Sequence, residues 1–195
     1  MPASAAPSDE DLMLAYAAGD AAAFDTLYAR HKGGVYRYLL RQCHHAGAAD
    51  ELFQDVWMNL IRARQGYVPT AKFTTWLYRL AHNRLIDHFR ANGVATLVSV
   101  DDDEHADQVA AIAGDCRDQP ELRAENHELG KRLKNAVAAL PPAQREAFLL
   151  HQEGGLSLAE LAELTHVGVE TVKSRLRYAV NKLRSDLSDL YEAQQ

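Results

Sequence analysis

Apolar residues recur at helical spacing along almost the whole chain, and no alternating pattern longer than about four residues competes with them. Stripes of this kind can be buried only against other helices, so the pattern predicts an all-α fold. Ser8 ahead of Asp9-Glu10-Asp11 has the chemistry of a helix N-terminus, a hydroxyl cap followed by acids in the first turn. Leu12, Ala15 and Tyr16 begin its apolar stripe. Asp20 suits a second cap, for a helix carrying Phe24, Leu27 and Tyr28. Gly33-Gly34 is expected to interrupt that helix before Val35, Tyr38 and Leu39 resume the pattern. Asp50 is expected to open a third helix, with Leu52, Phe53, Val56, Trp57, Leu60 and Ile61 on one face; Gly66 and Pro69 end it. A fourth runs over 72–90 and stops near Asn92-Gly93.

The charge is unevenly spread. The 195 residues carry a net −6, yet residues 1–95 hold ten Lys/Arg and nine Asp/Glu, and residues 126–195 hold nine of each. Residues 96–125 hold two basic and nine acidic groups, so the acidic excess sits in one internal segment. This reads as a flexible acidic linker, 94–120, between two small helical domains, 10–93 and 121–187. Helices are expected in the second piece at 121–139, 142–152, 157–164 and 169–190. Pro141-Pro142 suits a helix start, and Gly154-Gly155 a separation between helices.

With 47% apolar residues the chain has enough to pack a core. No run of about 18 apolar residues is present to span a bilayer. The first residues lack the basic and apolar parts of a secretory signal, and two cysteines, Cys43 and Cys116, suit a reducing compartment. The expected location is the cytoplasm, without membrane insertion. No catalytic constellation is found and no small-molecule substrate is indicated. Nine histidines show no HExxH or CxxC spacing, and adjacent Cys43-His44-His45 point in different directions on a helix, so neither metal nor cofactor is expected.

Two stretches carry binding chemistry. Residues 158–164 form a short amphipathic helix, Thr165-His166-Val167-Gly168 a four-residue turn, and 169–183 a longer helix: the spacing of a DNA-binding helix-turn-helix. Ala162 allows close approach of the two helices, and Val167 and Val172 fill their corner. Val169, Val172, Leu176, Val180 and Leu183 are the expected buried stripe. Opposite lie Glu170, Thr171, Ser174, Arg177 and Tyr178, flanked by Lys173, Arg175, Lys182 and Arg184. Residues 168–184 hold five basic groups and one acid, which suits phosphate neutralisation beside base-edge contacts. The second stretch is the fourth helix. Phe73, Leu77, Leu80 and Ala81 face inward, and Trp76, Arg79, Asn83 and Arg90 fall on another stripe. An indole beside guanidinium and amide groups can stack unpaired bases while tracking a phosphate backbone. The preceding 66–71 loop, pinned by Gly and Pro, is placed to wall a pocket for an extruded base.

Five segments then occur in order: Glu51-Leu52-Phe53-Gln54-Asp55-Val56-Trp57; Phe73-Thr74-Thr75-Trp76-Leu77-Tyr78-Arg79-Leu80-Ala81; residues 83–90; Leu140-Pro141-Pro142-Ala143-Gln144-Arg145-Glu146; and Thr171-Val172-Lys173-Ser174-Arg175-Leu176. Together they resemble the extracytoplasmic-function (ECF) group of bacterial RNA polymerase sigma factors, over about 10–93 and 121–186. The resemblance implies promoter-specific transcription initiation with core polymerase, through a sigma region 2 bundle and a sigma region 4 helix-turn-helix. It puts Asp50, Glu51, Gln54 and Asp55 against the β′ clamp coiled coil, and region 4 also against the β flap. It puts Phe73, Trp76, Arg79, Asn83 and Arg90 on −10 DNA, and Thr171, Lys173, Ser174, Arg175, Arg177 and Tyr178 on the −35 duplex. An anti-sigma factor is the further partner implied. Two positions depart from the family's habit: the order Arg177-Tyr178, and His166 where the turn commonly has Gly. The competing reading is a helix-turn-helix regulator with a helical sensing domain, acting on duplex DNA without polymerase.

Overall fold

A computed structural model describes residues 6–93 and 120–188. They form eight α-helices and no strand: α1 (Asp9–Ala17), α2 (Ala21–Cys43), α3 (Ala46–Ala63), α4 (Phe73–Ala91), α5 (Pro120–Ala138), α6 (Pro142–Gly154), α7 (Leu158–Thr165) and α8 (Val169–Asp186), with a 3-10 turn at Arg64–Gly66 after α3. The acidic segment expected as a linker, and Cys116 within it, lie outside the described residues up to the start of α5.

The first four helices close around Met13, Leu27, Val35, Tyr38, Leu39, Leu52, Val56, Leu60, Phe73, Leu77 and Leu85, all essentially without solvent contact. At one end Tyr28, Phe53 and Trp57 cluster with Tyr16 and Phe24, the Tyr28 and Trp57 rings meeting edge-on at 4.8 Å. The last four bury Val137, Leu140, Leu149, Leu150, Leu156, Leu161, Val172 and Ala179.

The local chemistry accounts for the ends. Ser8 accepts from the Asp11 N–H at 3.1 Å, and Asp20 from the Ala22 N–H at 2.9 Å. Pro142 opens α6, and Gly155 closes it in the left-handed region at φ 63°. Ser157 and Glu160 form a reciprocal capping box on α7.

Three expectations need correction. The Gly33-Gly34 pair does not interrupt α2, which runs unbroken from Ala21 to Cys43. Two helical glycines cost about 2 kcal/mol of propensity. Burial of Val35, Tyr38 and Leu39 offsets this, and Gly34 leaves room for the Tyr78 hydroxyl, 2.8 Å from where a Cβ would stand. Asp50 does not open α3. His44 turns the chain at φ 57°, and His45 caps the helix, its Nδ1 accepting from the Ala48 N–H at 3.3 Å. On α8 the buried stripe is Val172, Ala179 and Leu183, with Leu176 half-buried; Val169 is 44% exposed. Val169 is the first helical residue and projects past the corner that Val167 and Val172 fill.

Candidate nucleic-acid interface

The α7–α8 pair forms a helix-turn-helix with an exposed outer surface on α8. His166 takes the left-handed conformation that the turn demands, φ 55° and ψ 39°, and the next N–H, of Val167, donates to the Ala162 carbonyl at 3.1 Å. A non-glycine residue is thus accommodated there, histidine being one of the side chains that enter this region. Thr171, Lys173, Arg177 and Tyr178 are exposed along α8, and Ser174 and Arg175 are half-buried beside them. The Arg177 guanidinium lies 5.2 Å from the centre of the Tyr178 ring, which makes one amphipathic unit of the two side chains. Lys173 reaches Glu170 at 3.6 Å, both well exposed, a weak pair that leaves the ammonium available.

The start of α4 is held from a distance. Lys72 gives it no side-chain cap; the Phe73 N–H instead donates to a Glu10 carboxylate oxygen on α1, at 2.6 Å. Asp9, next to Glu10, binds Arg30 and His31 of α2 at 2.7 Å each. The acidic first turn of α1 therefore ties together α2, the 66–72 loop and α4. Tyr67 in that loop is buried; burial raises its phenol pKa, and the charges of Glu10 and Asp9 add to the rise.

Phe73, expected on the −10 DNA, is fully buried, packed beside Tyr67 and His31. It serves here as a core residue, the inward role that its helical phase already indicated. Trp76 is half-buried, its ring 5.0 Å from that of Tyr67. Arg79 is exposed, but its guanidinium binds Glu163 of α7 at 2.7 Å. Asn83 is exposed and lines an open cleft of about 470 Å³ with Asn59, Arg62, Leu80, Arg84 and Asp87. Arg90 is exposed and 4.0 Å from Asp87.

On α3, Asp50, Glu51 and Gln54 are exposed, and half-buried Asp55 is paired with Arg84 of α4 at 2.7 Å. The neighbouring Asp50 carboxylate, chiefly as a hydrogen-bonding acceptor, with some burial and its charge, raises the Tyr36 phenol pKa. Met58, 45% exposed, extends the same face one turn further. Its i+4 relation to Gln54 was the available signal.

Sequence reasoning missed the contact between the two helix groups. Glu153 of α6, its side chain only 10% exposed, receives Arg37 at 2.8 Å and Arg41 at 2.9 Å, and its carbonyl accepts from the Tyr78 hydroxyl at 2.8 Å. Glu160 accepts from the Thr75 hydroxyl. Burial pushes the Glu160 carboxyl upward, but hydrogen bonds from Ser157 and Thr75 outweigh it and hold the group below the ordinary value. Glu146 and His82, both buried, stand 3.0 Å apart, close enough to pair but poorly aligned for a hydrogen bond. Cys43 is half-buried, and burial pushes its thiol up to about 11. Among the described residues no group of three or more His, Cys, Asp or Glu is placed to hold a metal, and no helix is long and apolar enough to cross a membrane.

A Sigma-70 region 2 family model matches residues 27–94, and a Sigma-70 region 4 model matches residues 130–183. The chain is 32% identical over 187 residues to the ECF RNA polymerase sigma factor SigE of Mycolicibacterium smegmatis, covering 93% of this chain and 70% of that one. It is 30% identical over 190 residues to the ECF RNA polymerase sigma factor SigK of Mycobacterium tuberculosis, covering 92% and 94%. Two solved structures share the fold. CnrH, in complex with the cytosolic domain of CnrY, has a TM-score of 0.61 at 23% identity, over 97% of this chain and all of that one. The sigma factor RpoE of Bartonella quintana, in complex with the anti-sigma factor NepR, has a TM-score of 0.63 at 20% identity, over 85% and 96%.

Proposed function

The chain belongs to the ECF RNA polymerase sigma factors, and from that premise we propose that it binds core RNA polymerase and starts transcription at promoters it reads in two places. The observation that carries this reading is that one chain holds both surfaces: an exposed basic face on α8, and on α4 the stripe of Trp76, Arg79, Asn83 and Arg90. A regulator working on duplex DNA alone has use for the first and none for the second. The family matches to both regions favour the sigma reading for the same reason.

The roles divide by chemistry. Thr171, Ser174, Arg177 and Tyr178 reach base edges of the −35 duplex, and Lys173 and Arg175 neutralise its phosphates. On α4, Trp76 offers a stacking surface for unpaired bases. Asn83 and the cleft around it take a base drawn out of the −10 stack, while Arg79 and Arg90 follow the strand's phosphates. Phe73 acts behind them, holding Trp76 and Tyr67 in place. Unstacking costs a few kcal/mol per step, and stacking on an aromatic side chain returns about 1–3 kcal/mol per base, so opening needs no nucleotide hydrolysis by this chain. The exposed acids of α3, Asp50 and Glu51, with Gln54, Asp55 and Met58, form the surface for the polymerase β′ clamp, and the second bundle also meets the β flap. We assign the chain no catalytic step; it works in the cytoplasm, where polymerase is. An anti-sigma factor fits as a partner, since RpoE of similar fold is seen with one.

Run-off transcription with purified core polymerase tests the reading. The full chain is expected to give promoter-dependent transcripts that core alone does not. DNA binding without polymerase-dependent initiation would point to the regulator instead.

A further inference from the structure

We propose that Arg177 and Tyr178 act as one reader of a thymine–guanine step in duplex DNA, the arginine taking the guanine and the ring taking the thymine methyl. This rests on the reading of α8 as the −35 helix and adds which bases it selects. Both residues follow Ser174, three and four positions on, so they extend the face of α8 that Thr171 and Ser174 begin. The hydroxyls of those two can donate or accept, so they suit any base edge and select little. Selection along this face falls to the two larger side chains.

Both are exposed, Tyr178 at 54%, and the ring is not among the side chains packed against the core. What meets it is Arg177, whose guanidinium stands over the ring face, 5.2 Å from its centre. Among the described residues no carboxylate holds Arg177, in contrast to Arg37, Arg41, Arg79 and Arg84. Its fork of donors is therefore free. The contact with the ring restricts both side chains before DNA arrives, which lowers the ordering cost of binding.

The chemistry of the major groove selects the partner bases. A guanidinium has only donors, in a fixed fork, and guanine shows two acceptors side by side, N7 and O6. The thymine methyl is the apolar group of that groove, and the Tyr178 ring is the apolar surface offered to it. Two groups 5.2 Å apart suit one base-pair step, about 3.4 Å of rise, so the thymine and the guanine stand in neighbouring pairs. The order Arg177-Tyr178 is one of the places where this chain departs from its family's habit. The step is thus a property of this chain and not of the family at large.

The test is selection from randomised duplex DNA by the full chain, alone at low salt and with core polymerase. Sites with a thymine and a guanine in neighbouring pairs are expected to be enriched. In the enriched duplex, 7-deazaguanine removes the N7 acceptor and deoxyuridine removes the methyl, and both still pair. The parent chain is expected to bind the first about tenfold and the second about fourfold more weakly. Arg177→Lys keeps the charge without the fork, and is expected to bind the guanine and 7-deazaguanine duplexes equally. Tyr178→Ala is expected to lose the response to deoxyuridine and part of the response to 7-deazaguanine, whereas Tyr178→Phe keeps both. A merely structural role would lower affinity for every duplex alike. Enriched sites without the step, no enrichment in either setting, or a Tyr178→Ala chain that still responds to deoxyuridine overturns the proposal. Enrichment of the step by the chain alone, with no polymerase-dependent transcript, overturns the sigma reading and upholds the base assignment.

Discussion

Removing the carboxylate of Glu10 tests whether α1 is structural support for α4. The Phe73 N–H is among the unpaired donors at the start of α4, and Lys72 offers it no side-chain cap. Glu10 supplies the acceptor from 63 residues away, at 2.6 Å, and puts a negative charge at the positive end of the helix. A hydrogen bond to a charged group is worth about 1.5–3 kcal/mol. The site is only partly buried, and water replaces some of the loss, so Glu10→Ala is expected to cost about 1–2 kcal/mol. Glu10→Gln keeps an acceptor and loses the charge, and about half that cost is expected. Urea unfolding of the full chain, followed by tryptophan fluorescence, measures both. Asp11→Asn is the comparison: Asp11 is exposed, and its carboxylate accepts from the Ser8 hydroxyl that caps α1. The same variants read out in function, because a loosened start of α4 disturbs the loop that leads into Trp76. Permanganate footprints of the opened −10 strand are expected to weaken in the order wild type, Gln, Ala, with promoter binding before opening little changed. Glu10→Ala within about 0.3 kcal/mol of wild type would show that α4 keeps its start without α1, and the long-range cap would lose its meaning.

Trp76→Ala and Asn83→Ala are expected to impair strand opening more than closed-complex formation, measured by comparing permanganate footprints with gel-shift affinity; equal loss in both would remove the stacking role. Lys173→Ala with Arg175→Ala is expected to weaken binding at the −35 element and, if each neutralises one phosphate, to flatten the salt dependence by about 1.8 in log–log slope. Unchanged affinity and slope would mean that α8 is not the reader. Cys43, its thiol pushed up to about 11, is expected to alkylate at pH 8 about a hundredfold more slowly than a free thiol, scored by mass in a Cys116→Ser chain. Alkylation at the free-thiol rate would deny the burial that raises it.

What was legible in the sequence was what short-range chemistry decides. Ser8 and Asp20 cap helices because their side chains reach N–H groups two or three residues away, and that geometry travels with the residue. The turn at His166 was legible through its four-residue spacing between two apolar patterns. The start of α3 was missed although its cap is local, His45 reaching the Ala48 N–H three residues on; other misreadings turned on neighbours distant in sequence. Gly33-Gly34 looked like a break because helix propensity is local, whereas the compensation comes from Tyr78 and the core. Trp76 lay on an outward stripe by phase, yet Tyr67 in the preceding loop covers part of it. Val169 fitted the apolar phase of α8, but the helix has no neighbour at its first residue to bury it.

The charge count is the most instructive case, because its arithmetic was right and its implication was incomplete. Residues 126–195 hold nine basic and nine acidic groups, and a neutral piece suggests weak, undirected electrostatics. In the folded bundle the charges are largely segregated, the exception being Arg145 of α6, which reaches Gln42 of α2 at 3.4 Å. Glu146, Glu153, Glu160 and Glu163 belong to α6 and α7 and meet the first bundle, while Lys173, Arg175, Arg177, Lys182 and Arg184 belong to α8. Seven residues separate Glu146 from Glu153, two helical turns, so both lie on one side of α6. A neutral sum thus conceals a bipolar domain. One face suits arginines and the other suits phosphates. Its net charge of zero leaves the contact with the first bundle to short-range pairs rather than to long-range attraction.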